Sequence, residues 1–278
     1  MFAAIFLSIV VGTWNGNWFP SGRAEHRAHP DVEAATIAAA GEMLSEGLRK
    51  IDPSGTNDVI LVLNEMRGVQ VVSNLLEKID RKGLKLAAIS AYRRRDRFDQ
   101  QQDAILTTLP TTSSGWSRWM VCGKETPPRG YAWADIVLEA AVTSRVYAVH
   151  LKSNYGATSE DIISLNFIKR ARSIEQLIAE GKSYKTVIIA GDFNADPWKK
   201  EFAAEKTFRL LNDAGYLDLL SLLPPSRRAT HPHRRLGDTA LDHICVKGLK
   251  GEGNGLVFPN DDLSDHFAFF AKIGCPVD

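Results

Sequence analysis

Short runs of β-branched and aliphatic residues recur along the chain at Ile9–Thr13, Val59–Leu63, Val146–Val149 and Thr186–Ala190. A strand covered on one face alternates apolar with polar residues, whereas a strand covered on both faces reads as a continuous apolar run. These four segments are therefore predicted as buried strands. The longer segments between them have helical composition and helical stop signals. Asp31–Ile51 is rich in Ala, Glu, Leu and Met, and Val69–Arg81 is followed closely by Gly83. Thr158–Glu180 opens on Thr158-Ser159-Glu160-Asp161, which has the spacing of a capping box, and stops at Gly181. A further helix is expected between Lys199 and Ala214.

The middle of the chain reads differently. Gln101–Thr107, Ser117–Val121, Ala134–Ala140 and Arg145–His150 are short strand-like runs with Gly, Pro and Ser in some of the breaks. Such runs suit antiparallel neighbours, so mixed sheets are expected. Pro224–Asp238 is the clearest long loop, and loops of this length in compact domains are often functional. The chain has no internal repeat and no linker that would divide it. A length of 278 residues suits one large α/β domain spanning 1–278.

Composition narrows the function only a little. Hydrophobic residues make up 44% and the formal net charge is +1, so nothing global argues for nucleic acid or an anionic membrane. Cys122, Cys245 and Cys275 are too few and too scattered for a disulfide framework or a thiolate zinc site. Phe2–Val11 is apolar, but it has no basic leader and is too short to span a bilayer. It runs directly into Gly12-Thr13-Trp14-Asn15, so it is read as the start of a core strand rather than a signal peptide. That reading favours a cytoplasmic location over secretion, with no stable membrane insertion, and a monomer is expected.

The chemistry lies where the apolar runs stop. Asn64-Glu65 follows the second run, Asp192-Phe193-Asn194 follows the fourth through Gly191, His150 ends the third, and the first leads into Thr13-Trp14-Asn15. Ligand sites gather beyond the carboxyl ends of parallel strands, so these groups share a cleft if the strands are neighbours. Glu65 with one or two aspartates is a donor set for a hard cation such as Mg²⁺, and the chain has no HExxH. Near the C-terminus Leu241-Asp242-His243 opens one apolar segment and Ser264-Asp265-His266 precedes another. A carboxylate beside an imidazole makes a general base, which predicts that activity is lost on the acid side as the ring takes a proton. Each feature alone has an ordinary structural use: His150 or His243 as a satisfied core histidine, Gly191–Asn194 as an Asx-type turn, Asp265 as a cap.

Taken together and in order, Thr13-Trp14-Asn15, Leu63-Asn64-Glu65, His150-Leu151-Lys152-Ser153, Gly191-Asp192-Phe193-Asn194 and the pair Leu241-Asp242-His243 with Ser264-Asp265-His266 resemble the endonuclease/exonuclease/phosphatase (deoxyribonuclease-I-like) superfamily. The resemblance spans nearly the whole chain; Gly-Asp-Phe-Asn followed by a terminal Ser-Asp-His is its specific part. It implies a four-layer α/β sandwich of two packed mixed β-sheets flanked by α-helices, and Mg²⁺- or Mn²⁺-dependent hydrolysis of a phosphate ester by in-line attack of water. It also implies roles. Glu65 resembles the principal metal ligand, with Asp265 adding to it and Asn15 supporting the cluster. His266 resembles the catalytic imidazole, oriented by Asp242. Asp192 and Asn194 match residues that position nucleophile and phosphate, with Asp192 a candidate for proton transfer. His150 matches a second acid or phosphate-contacting histidine. Some members carry an aspartate as a further metal ligand where this chain has Asn17, so one tight metal site is expected.

The family includes nucleases and also phosphatases and phosphodiesterases of lipid and inositol phosphates, and fold does not choose among them. Arg93-Arg94-Arg95 with Arg97, and Arg227 and Arg228 with Arg234 and Arg235, favour a nucleic-acid substrate, because the guanidinium fork suits phosphate. The second cluster lies just ahead of Asp242. The tryptophans, if exposed, would favour a lipid or small-molecule phosphate instead. A scaffold that has lost catalysis is disfavoured, because nearly the full catalytic set is present.

Overall fold

A computed structural model describes residues 8–21, 29–92, 101–120, 123–139, 142–232, 237–260 and 263–274. The apolar runs become two six-stranded sheets. The first runs from edge to edge as β11 (Lys250–Phe258), β12 (Ala268–Gly274), β1 (Ser8–Phe19), β2 (Asp58–Met66), β4 (Gln102–Thr107) and β3 (Lys85–Ile89). The second runs β5 (Thr111–Arg118), β6 (Gly130–Glu139), β7 (Val142–His150), β8 (Thr186–Asp192), β10 (Asp242–Lys247) and β9 (Leu217–Asp218). Each sheet has one parallel pair near its centre, β1 with β2 and β7 with β8, and is otherwise antiparallel. Those four strands are the four continuous apolar runs.

Alternation along each strand sorts the side chains into layers. Ile9, Val11, Ile60, Val62, Ile188, Ala190, Ile244 and Phe269 form the core between the sheets. Val10, Trp14, Leu61, Leu63 and Phe270 face outward onto α1 (Pro30–Ile51) and α2 (Val69–Leu76). Val187, Ile189, Tyr147 and Val149 face outward onto α3 (Glu160–Glu180), which packs beside α4 (Thr207–Asp213). The result is the four-layer sandwich.

The helices follow local rules. Pro30 occupies the first turn of α1, Asp31 and Glu33 sit at its start, and Arg49 and Lys50 at its end, each charge complementing the helix dipole. Its buried stripe includes Ile37, Ala40, Leu44, Leu48 and Ile51. Burying each leucine contributes about 1.5–3 kcal/mol.

Some boundaries move. The cap of α3 is Ser159, whose hydroxyl accepts from the Ile162 N–H, rather than Thr158. The helix α2 stops at Leu76, where Lys78 and Ile79 bond back to the carbonyls of Leu75 and Leu76 and turn the chain. The strand expected at Ser117–Val121 is instead β5, Thr111–Arg118, a polar edge strand that shares only two residues with it. The helix between Lys199 and Ala214 is a 3-10 turn at Lys200–Phe202 followed by α4. Cys245 is a buried free thiol, whereas Cys122, Cys275 and the first seven residues lie outside the described residues. No helix among the described residues is long and apolar enough to cross a membrane.

Candidate active site

The alternation that fills the core also builds the site. Continuing the inward-facing positions to the strand ends, Ile188 and Ala190 lead to Asp192, Val146 and Ala148 to His150, and Val246 and Ile244 to Asp242. In the facing sheet Ile9, Val11 and Thr13 lead to Asn15, and Ile60 and Val62 to Asn64. Register aligns them: His150 is paired with Asp192, Asp192 with Asp242, and Asn15 with Asn64. Five polar groups thus meet where the inter-sheet core ends. Glu65 has the opposite parity. It is brought in by a positive φ of 61° at a register irregularity of β2. Asn194 also sits at positive φ, 51°, and such outliers on non-glycine residues cluster at functional sites.

The motifs hold one another. The Asn15 amide donates to Glu65 Oε1 at 3.2 Å and to Asp192 Oδ2 at 3.0 Å, while its oxygen accepts the Asn17 N–H. In this arrangement Asn15 ties the two carboxylates together through its amide nitrogen. Asn64 Oδ1 accepts the Asp192 N–H, and its amide donates to Asp103 and to the Val149 carbonyl. Gly191 explains itself here: at φ 138° a Cβ would lie 2.0 Å from the Val149 oxygen and 2.9 Å from Asn64 Oδ1. Ser264 donates to the Asn15 carbonyl and accepts the His266 N–H, and Trp14 Nε1 donates to the His266 carbonyl. Glu65 Oε2 accepts from the Trp18 N–H and from Gln101 Nε2, and Gln101 Oε1 accepts from Arg129.

The ionisable side chains form three overlapping groups: Glu65, His150 and Asp192; Asp192, Asp242 and His266; His231, Asp265 and His266. His150 Nε2 lies 3.5 Å from Glu65 and 3.6 Å from Asp192. Burial, with the charges of Arg129, His266 and Lys152, holds His150 well below the usual imidazole range, so it is neutral. Asp192 accepts both Asn194 nitrogens. Burial pushes its pKa up to about 6, with His266 opposing and Asp242 and Glu65 adding to the rise. His266 Nδ1 bonds Asp242 Oδ2 at 2.7 Å, and its Nε2 faces Asp192 at 4.0 Å. Burial pulls His266 down, but Asp242, Asp192 and Asp265 outweigh it and hold its pKa at about 10. These carboxylates favour the cationic form of the ring.

Glu65, Asp103, Asp192 and Asp242 are all buried. Burying carboxylates together is costly without cations, and Asp242 Oδ1 and Asp103 Oδ2 have no hydrogen-bond partner. Oxygen donors in surplus over the protein's own cations fit a hard divalent ion at Glu65. Asp265 is about half exposed and stands with His231 and His266 rather than in the group that holds Glu65. His243 is structural: it is fully buried, bonded to Asp218 and to the Ala195 and Ala240 carbonyls. Of the arginine loop, Arg227 is exposed. The Arg228 guanidinium is committed to the Leu223 and Ser221 carbonyls and stacks 4.4 Å over Trp198. Arg234 and Arg235, like Arg93, Arg94, Arg95 and Arg97, lie outside the described residues. Sequence reasoning passed over Gln101, Arg129, Asp103 and His231, none of which sits in a motif. Only the parity of Asp103 with Ile105 in β4 pointed inward.

Asp103 gives a test of this electrostatic picture. Burial first, then Glu65 and Asp192, raise its pKa to about 8 against the Asn64 bond and Arg129. A raised folded-state pKa gives stability that is complete below the unfolded value of about 3.9 and is lost as pH rises through about 8. Asp103→Asn keeps an acceptor for Asn64 without the charge. It is expected to stabilise the fold by about 1–3 kcal/mol at pH 9 and by little at pH 4. Thermal melts at the two pH values check this, and an equal shift at both would overturn it.

Carboxylates and imidazoles gathered between the strand ends of a two-sheet α/β sandwich accord with a phosphoester hydrolase, the class to which the matching family belongs. The model of the Endonuclease/Exonuclease/phosphatase family matches residues 12–266, and the chain belongs to that family. No curated protein matches at the sequence level. Among solved structures, an endonuclease/exonuclease/phosphatase family protein from Leptotrichia buccalis C-1013-b superposes with a TM-score of 0.65 at 15% identity, over 95% of this chain and 99% of that one. D. rerio TDP2 complexed with single-strand DNA product gives 0.63 at 15% identity, over 96% and 98%. The 3' phosphatase NExo from Neisseria, bound to a product DNA hairpin, gives 0.61 at 18% identity, over 94% and 98%.

Proposed function

We propose that this chain is a nuclease that hydrolyses phosphodiesters of DNA or RNA by in-line attack of water, with Mg²⁺ or Mn²⁺ held at Glu65. The observation that carries the reading is the convergence of Glu65, His150 and Asp192 with the His266–Asp242 pair at the end of one core. The cation, when bound, neutralises charge on the phosphoryl oxygens. Asp192, raised to about 6 and so mostly ionised at neutral pH, takes the proton of the attacking water. Asn194, fixed to Asp192 and to the Leu151 carbonyl, positions the nucleophile. The His266 imidazolium, oriented by Asp242, stabilises the charge that develops on phosphate. Neutral His150 offers the phosphate a donor without adding another charge to the site.

Nucleic acid is favoured by the surface next to Glu65. A cleft of about 520 Å³ is lined by Arg118, Arg129 and Lys152 together with Tyr92, Trp119 and Tyr155. Of these, Arg118 and Tyr155 are exposed, so a phosphate can pair beside an open aromatic face on which a base can stack. Two structural relatives were solved with DNA products. The test is hydrolysis by purified protein with Mg²⁺ across plasmid DNA, single-stranded RNA, sphingomyelin and an inositol polyphosphate. Cleavage of a nucleic acid is expected, and release from lipid or inositol phosphate alone would replace the nuclease by a phosphatase.

The same roles fix the pH dependence. Asp192 must be charged, so activity is expected to rise through about pH 6. His266 must keep its proton, so activity falls toward about pH 10. His266→Ala should lose the alkaline limb and keep the acid one. Loss of the acid limb instead would return the base role to the imidazole.

A further inference from the structure

We propose that His231, Asp265 and His266 form a second metal site, selective for a Zn²⁺-class cation, and that filling it inhibits the enzyme. His231 Nε2 lies 3.7 Å from Asp265 Oδ2, and His266 Nε2 lies 3.9 Å from Asp265 Oδ1. Each carboxylate oxygen thus faces one imidazole nitrogen at a separation too long for a hydrogen bond. The two rings stand 4.7 Å apart at 61°. All three ligand atoms lie within 4.8 Å of one another.

The rings are fixed through their other nitrogens. His266 Nδ1 bonds Asp242 at 2.7 Å, and His231 Nδ1 meets Thr239 Oγ1 at 3.2 Å. An imidazole tied at one nitrogen to an oxygen partner, with the other turned to a shared point, is the usual outer support of a metal-binding histidine. The backbone carrying His231 is also fixed. His231 exchanges hydrogen bonds with Thr239, Thr230 Oγ1 accepts the Leu241 and Asp242 N–H groups, and Thr230 O accepts the Phe267 N–H. The loop is therefore pinned on both sides to the segments that carry Asp242 and His266.

Donor chemistry separates this site from the one at Glu65. Two imidazoles and a carboxylate suit Zn²⁺ or Co²⁺ far better than Mg²⁺ or Mn²⁺, which prefer oxygen. Occupancy has a cost to function, because His266 Nε2 is the nitrogen that faces Asp192. A cation bound there displaces the Nε2 proton of His266 to solvent and removes the ring from the phosphate. The inhibition rests on the proposed phosphodiesterase reading, whereas the binding does not.

The experiment titrates Co²⁺ into the full-length protein in excess Mg²⁺ and reads visible absorption, alongside Zn²⁺ inhibition of hydrolysis. Wild type and Glu65→Gln are expected to give the same Co²⁺ spectrum. His231→Ala and His231→Gln are expected to bind Co²⁺ at least ~10²-fold more weakly, beyond the loss typical of an outer-sphere partner. Both should lose Zn²⁺ sensitivity, read as a fraction of each variant's own Mg²⁺-supported rate, and metal-free thermal melts establish that they fold. A spectrum unchanged in the His231 variants, or abolished by Glu65→Gln, overturns the site. An intact His231-dependent spectrum with no hydrolysis of any nucleic acid leaves the site standing and sinks the functional reading instead.

Discussion

Replacing His266 by Ala is expected to lower turnover by ~10²–10³-fold, the usual cost of losing one donor positioned on developing charge. That range corresponds to about 3–4 kcal/mol of transition-state stabilisation. The fold should persist, because the His266 backbone is held independently by Trp14, Ser264 and Asn260. Asp242→Asn acts on the same ring. It removes the charge that keeps His266 cationic and places a neutral amide on a fully buried strand position. The two losses should therefore overlap, with the double variant hardly worse than His266→Ala. Single-turnover rates for the three variants decide the point. Additive losses would mean that Asp242 and His266 do not act as a pair.

Exhaustive chelation is expected to abolish hydrolysis, and Mg²⁺ or Mn²⁺ to restore it. Glu65→Gln should raise the metal concentration for half-maximal rate by at least ~10-fold. Glutamine keeps the acceptor for the Trp18 and Gln101 donors but loses the charge that attracts a hard cation. Loss of structure does not account for the effect if thermal melts match. Full turnover after chelation would remove the metal from the mechanism altogether.

The parts of the fold that were legible in the chain are those where one physical demand dominated. Strands β1, β2, β7 and β8 lie at sheet centres with both faces covered, so every position is apolar and the run is unmistakable. Edge strands answer to solvent on one face and carry the composition of loops. Thus β5 reads Thr-Thr-Ser-Ser-Gly, and β11 carries three glycines in Lys250–Phe258, so one was misplaced and the other passed over. The site divides similarly. Asp192, His150, Asp242 and Asn15 continue an alternation already set by the core, and a resemblance collected them in order. Glu65 needed a motif, because its aim depends on a left-handed backbone that no pattern announces. Gln101, Arg129 and His231 approach from segments far away in sequence, and only folding brings them near. The charge on His266 was also beyond reach, since it depends on three carboxylates converging.

Among the described residues the first and last strands, β1 and β12, are neighbours in one sheet, with Thr13 in register with Phe269 and Trp14 bonded to the His266 carbonyl. The chain must therefore close a loop of nearly its whole length before the dyad meets the metal cluster. Domains fold as units during synthesis, and such long-range pairing forms late. A chain still lacking β12 has neither the partner strand of β1 nor a positioned His266, so the polar groups at the ends of the two sheets stay incomplete until that strand is in place.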